Sequence, residues 1–262
     1  MEVVEETIQP TVCCSTCQAP LKGDERFCGN CGSEVKTNEE EALSQTPYAI
    51  APAMWYYLVT LVLLAAYQFT PIAPEGFSGS VIISFIYAGI VIGFWIYFRK
   101  SVAQKFRFRG LRIGVILAIV SCALAAASVV SAVADYINFT VLDDVYYSPY
   151  IYEDTANPFL WTVILTCIFP AVMEEVAFRG FLFDNIRTLT SEKGTLYVTS
   201  FLFGILHLSP LALLWLIPLG LVFGWLRLRY NTLWYSMIAH FSYNFFISII
   251  EYYTLQGENP EF

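Results

Sequence analysis

Charge is scarce in this chain. Only 14% of its 262 residues are Asp, Glu, Lys or Arg, whereas a soluble domain carries about 25%. Histidine is scarcer still, with two residues in all. Long apolar stretches stand in their place, in a composition that is 57% hydrophobic and 17% aromatic. Few charges beside such stretches exclude an ordinary soluble globule and put the chain in the membrane class. A net charge of −8 argues against a nucleic-acid partner. No secretory signal is expected in "MEVVEETIQP", which is acidic and has no apolar core. The first hydrophobic run starts near residue 52 and is expected to stay in place as an anchor. No internal repeat is visible.

What is present divides into two parts. Residues 1–35 form a small polar module, and an acidic linker follows over 36–51. A multi-pass membrane domain is expected over 52–252, with a short acidic tail at 253–262. Spans of roughly 17–25 apolar residues fall near 52–70, 80–98, 111–134, 158–184, 195–209, 211–229 and 232–251. Helix is the default for each, since lipid offers no partner to an unpaired backbone group. The expected fold is therefore all-α: a bundle of about seven transmembrane helices preceded by a zinc-ribbon module.

Basic residues orient the bundle. "RKSVAQKFRFRGLR" holds six Lys or Arg and no acid, and Arg187, Lys193, Arg227 and Arg229 fall in loops on the same face if seven spans are right. The opposite face has no Lys or Arg and carries Glu75, Asp135, Asp143, Asp144, Glu153 and Asp154. This asymmetry predicts a cell-membrane protein with its N-terminus cytoplasmic and its C-terminus extracytoplasmic.

Four of the seven cysteines share one pattern: Cys14-x2-Cys17, ten residues, then Cys28-x2-Cys31. Two such pairs can set four thiolates around one tetrahedral Zn2+, with Gly29 and Gly32 easing the turns. So short a module cannot bury a core, and a structural metal would supply the missing folding energy. A pair of disulfides is the rival reading, which a reducing cytoplasmic N-terminus disfavours. "FCGNCG" resembles the second knuckle of short zinc ribbons. Its expected job is to bind a cytoplasmic protein partner or to cap the N-terminus. Cys122 and Cys167 sit in apolar helices and read as packing residues.

The most informative stretch is "FPAVMEEVAFRGFLF", which sets Glu174, Glu175 and Arg179 in an apolar segment. Both histidines, His207 and His240, also fall in apolar segments. Each ionisable group at mid-membrane costs roughly 2.5–3.5 kcal/mol or more and faces the protein interior or a wet cavity. A rise of about 1.5 Å per residue from the cytoplasmic loops places Glu174, His207, His240 and Asn244 about 14–20 Å deep. Three separate helices thus bring them to similar levels. Glu175 and Arg179 are i,i+4 and can pair; His240 and Asn244 are i,i+4 and can face one cavity. Phe203, one turn before His207, can wall the pocket.

Glu174-Glu175-x3-Arg179, Phe203-x3-His207 and His240-x3-Asn244 together resemble the three motifs of the CPBP family of intramembrane endopeptidases (CAAX-protease and bacteriocin-processing, also called Abi). The resemblance covers about residues 155–250 and implies peptide-bond hydrolysis inside the membrane. In that reading Glu174 activates water, and His207 helps hold it and passes a proton to the leaving amine. His240 and Asn244 donate to the oxyanion, while Glu175 and Arg179 form a supporting pair. No cofactor is needed there in the preferred reading, although two His and one Glu are also a common zinc set. No HExxH motif is present. The expected partners are the lipid bilayer and a peptide or protein substrate, such as a leader peptide entering from the cytoplasmic side. The alternative is a non-proteolytic immunity, scaffold or transport protein that uses the same polar core.

Overall fold

A computed structural model describes residues 13, 14, 17, 19–21, 28–33, 50–71, 74, 76–106, 108, 111–138, 140 and 147–258. The linker lies outside the described residues up to position 49. So do Glu75, Arg107, Arg109, Asp143, Asp144 and residues 259–262 of the tail. The chain forms two compact units, Met1–Tyr48 and Ala49–Phe262.

The larger unit is all-helical among the described residues. Its helices are α1 (Ile50–Phe69), α2 (Gly76–Tyr97), α3 (Arg99–Ala103), α4 (Ile113–Ile137), α5 (Pro158–Ile186), α6 (Glu192–Ile205), α7 (Leu213–Tyr230) and α8 (Trp234–Glu258). Large apolar side chains such as Val62, Phe85, Leu117, Val129 and Leu214 stand exposed on their outer faces. In water such surfaces would drive association, whereas facing lipid they cost nothing. The protein is an all-α, multi-pass membrane protein.

Among the described residues five helices are long and apolar enough to cross a bilayer: α1, α2, α4, α5 and α7. The other two expected spans depart from that pattern. α6 has only 14 residues and stops before His207. α8 is long, at 25 residues, and continues past 252 to Glu258, but Ser236, His240, Asn244, Ser248 and Glu251 interrupt its apolar run.

α5 organises the core. Val176, Ala177, Phe178, Phe181 and Leu182 are buried against Ala53, Tyr56 and Tyr57 of α1, Tyr87 and Val91 of α2, and Phe203 of α6. On the other side, Ala123 and Ala127 of α4 receive Tyr243 of α8. α6 and α7 touch closely because α7 carries glycine at the contact: a Cβ on Gly220 would stand 3.0 Å from Ser200 Cα.

α5 also contains two π-helical stretches, Val163–Ile168 and Val176–Leu182. Pro170 explains the first, since it has no N–H for the Thr166 carbonyl and its ring crowds the preceding turn. Each widened stretch hands a backbone carbonyl to a side chain from another helix. The Thr166 carbonyl accepts Asn244 Nδ2–H from α8 at 2.9 Å. In the second stretch Phe183 N–H turns to Phe178, and the Arg179 carbonyl accepts Arg227 Nε–H from α7 at 2.9 Å.

Candidate active site

The motif residues fall into two layers. In the rear layer Glu175 and Arg179 are fully buried. Arg179 Nη1–H donates to Glu175 Oε1 at 2.9 Å and Nη2–H to the Gly220 carbonyl at 3.2 Å. Its guanidinium lies 4.5 Å from the Phe203 ring centroid and 5.2 Å from that of Phe223, contacts that favour a desolvated cation. The i,i+4 pairing read from the sequence is present.

Glu175 also holds His240. The His240 Nδ1 lies 3.0 Å from Glu175 Oε1, and the imidazole stacks on Phe223 with centroids 5.0 Å apart. Nδ1–H donates to the carboxylate, and this leaves Nε2 3.9 Å from Glu174 Oε2. One buried carboxylate therefore anchors an arginine and aims a histidine.

The front layer faces open space. Glu174 is half-buried, and His207 is exposed in the turn beyond α6. His207 Nδ1 lies 3.0 Å from the Phe203 carbonyl, which fixes the ring and leaves Nε2 free. Leu208 follows with φ 52°, a left-handed conformation normally given to glycine at a helix end. Glu174, His207 and Asn244 line one cavity of about 610 Å3. Glu174 and His207 also line a smaller cleft of about 260 Å3, with Phe203 in its wall. The larger cavity runs toward Ser148 and Glu251, away from the basic loop. Between Glu174 and the basic end of α5, Phe178, Phe181, Leu182 and Phe183 are all buried.

Several participants were not read from the sequence. Arg227, expected in a loop, lies instead in α7, is buried, and donates to Asp184 Oδ1 and Asn231 Oδ1, both at 2.9 Å. Ser101 Oγ–H bonds the other Asp184 oxygen at 2.7 Å. An ionisable residue near the end of each of two apolar helices is the available signal for that pair. Tyr56 and Tyr87, buried with hydroxyls 3.1 Å apart, carry no such signal in apolar helices rich in tyrosine.

In the smaller unit the sulfurs of Cys14, Cys17, Cys28 and Cys31 all lie within 4.8 Å of one another. Cys14 and Cys31 are 3.7 Å apart, Cys17 and Cys28 3.6 Å. A tetrahedron with metal–sulfur bonds of about 2.3 Å has edges of about 3.8 Å, whereas a disulfide needs about 2.0 Å. The four thiols thus fit one metal ion, and Cys13 stands outside them, exposed. The Ser33 hydroxyl at 2.8 Å, with its backbone N–H, holds the Cys31 thiol below its ordinary range. Gly32 takes φ 72° in the second knuckle; Gly29 needs no such freedom.

Residues 156–246 match the model of a family described as type II CAAX prenyl endopeptidase Rce1-like. Over 89 residues the chain is 28% identical to the "Putative membrane peptidase YdiL" of Bacillus subtilis (strain 168), a match covering 34% of this chain. It spans 36% of that protein, so the chain matches about a third of its curated relative. No solved structure matches. The matched segment runs from the start of α5 into α8, carrying all three motifs and leaving out α1, α2, α4 and the four-cysteine cluster. Over that segment the chain is similar to the Rce1-like endopeptidases, which bears out the CPBP resemblance of its motifs.

Proposed function

We propose that this protein is a membrane-embedded endopeptidase that hydrolyses a peptide bond with a water activated by Glu174. The observation that carries the reading is the two-layer site: Glu175 aims His240 at Glu174, while Glu174, His207 and Asn244 share one cavity. Glu174 takes a proton from water as the oxygen attacks the carbonyl carbon. His207 holds that water through Nε2, and the proton passes to the leaving amine. His240, protonated at Nε2, and the second N–H of Asn244 donate to the oxyanion. The negative Glu175 supports the charge on both Arg179 and His240. Substrates are membrane-associated or leader peptides. The bundle crosses the cell membrane seven times with its N-terminus cytoplasmic and its C-terminus outside, and the four cysteines hold a structural Zn2+.

The test is cleavage of a quenched peptide library by the detergent-purified chain. Glu174→Gln is expected to lower turnover by at least about 10³-fold while the protein stays monodisperse. A Glu174→Gln protein that cleaves like the wild type would sink the reading. Elemental analysis is expected to find one zinc per chain, lost in Cys28→Ser/Cys31→Ser. Chelator-sensitive cleavage in that double variant would move the mechanism to a metal at the histidines.

A further inference from the structure

Two cavities of opposite character meet at Glu174. The smaller, about 260 Å3, is a cleft walled by Leu64 of α1, Ile83 and Tyr87 of α2, Phe178 of α5, and Phe203 and Leu206 at α6. Apart from Ser84 and Tyr87, its polar lining is Glu174 and His207. Tyr87 has its hydroxyl against Tyr56. Whole small-molecule sites occupy about 300–1,000 Å3, so this cleft suits a single side chain. An apolar wall selects an apolar one.

The larger cavity starts at the same Glu174 and His207 and continues past Asn244 to Asn138, Ser148, Asp135 and Glu251. Among the described residues its lining contains no Lys or Arg, and its charged groups beyond the motif residues, Asp135 and Glu251, are both acidic. Glu251 Oε2 accepts the Ser148 N–H at 3.1 Å, which fixes that carboxylate in the wall. Glu251 lies seven residues beyond Asn244 on one helix, a rise of about 10 Å. An extended peptide covers that distance with about three residues.

We infer that the substrate is a peptide with a bulky apolar side chain at one side of the scissile bond and Lys or Arg about three residues to the other side. This rests on the peptidase reading and adds what the site selects. The walls that do the selecting come from α1, α2, α4 and the far end of α8. These lie outside the segment shared with the Rce1-like family, whereas Phe178, Phe203 and Leu206, which complete the cleft, lie inside it. Cleavage at such a junction leaves the cationic portion in the acidic cavity and the apolar side chain in the cleft.

Binding tests the inference without relying on turnover. Fluorescein-labelled decapeptides of Gly and Ser, with one Leu or Ala and one Lys or Glu three positions away, are titrated into the full-length Glu174→Gln protein in detergent. Both chain directions are included, and anisotropy is read. The Leu/Lys peptide is expected to bind at least tenfold more tightly than Leu/Glu. Adding Glu251→Gln, or Asp135→Asn should that protein not be monodisperse, is expected to shrink the ratio below threefold. Ser84→Trp, which fills the cleft, is expected to remove the preference for Leu over Ala. Equal binding of Lys and Glu peptides would overturn the inference, as would a preference unchanged by the carboxylate variants. Failure of the wild type to cleave a peptide that binds selectively would count against the peptidase reading alone.

Discussion

α5 takes part in two buried Arg–carboxylate pairs that look alike in composition and differ in their other contacts. Glu175–Arg179 and Asp184–Arg227 both close at 2.9 Å, and both reach α7. Arg179 donates to an α7 carbonyl, and Arg227 on α7 donates to the Arg179 carbonyl, so the pairs are joined through one residue. Their remaining partners separate them. Glu175 spends its second contact on His240, whose other nitrogen faces Glu174. Asp184 and Arg227 spend theirs on Ser101 and on Asn231, which also accepts Lys105 Nζ–H at 3.0 Å. One pair orients the His240 ring; the other ties the basic segment around Ser101 and Lys105 to the bundle. A buried ion pair is weak evidence of function until its other contacts are named.

Matched substitutions can break this comparison. Glu175→Gln and Asp184→Asn each leave a buried arginine without its counter-ion and are each expected to cost about 3–5 kcal/mol of stability. Thermal unfolding in detergent measures that loss. Turnover per folded molecule separates them: a fall of roughly 10²–10⁴-fold for Glu175→Gln, as for other carboxylates that orient a catalytic histidine, and under about threefold for Asp184→Asn. Equal losses of turnover would show that the two pairs work as one unit.

A smaller effect sharpens the contrast between the two π-helical stretches. Pro170→Ala gives the Thr166 carbonyl back a helical donor and releases Asn244. Cleavage is expected to fall on the order of 10–100-fold, the usual cost of losing a supporting contact, with the melting temperature unchanged or higher. The smallest effect is at Leu208. Leu208→Gly removes the left-handed strain and is expected to raise stability by up to about 1 kcal/mol, measured by the same melt.

The sequence made legible what depends on one helix at a time. The Glu175–Arg179 pair and the grouping of Glu174, His207 and Asn244 by depth both follow from spacing along a rod. The two CxxC pairs followed from ligand arithmetic. Contacts that depend on rotation of one helix against another were not legible. His240 turns to Glu175 as well as Glu174, and Asn244 is committed partly to a carbonyl. Both depend on where α5 widens its turns, and each widened turn shifts the register of everything beyond it. Arg227 shows the same limit: a basic residue near a span end reads as a loop charge, yet this one is buried and spoken for.

The shortness of α6 has a consequence for the lipid itself. Fourteen residues rise about 21 Å, against a hydrocarbon layer of about 30 Å. On the proposed seven-span topology, lipid beside that helix thins to meet it, at a cost of fractions of a kcal/mol per Å. His207 stands at the end that falls short. On that topology the membrane is dimpled where the candidate site opens, so water and a polar chain have less oil to cross. Activity should then depend on acyl-chain length as well as on side chains, with thinner bilayers favouring turnover.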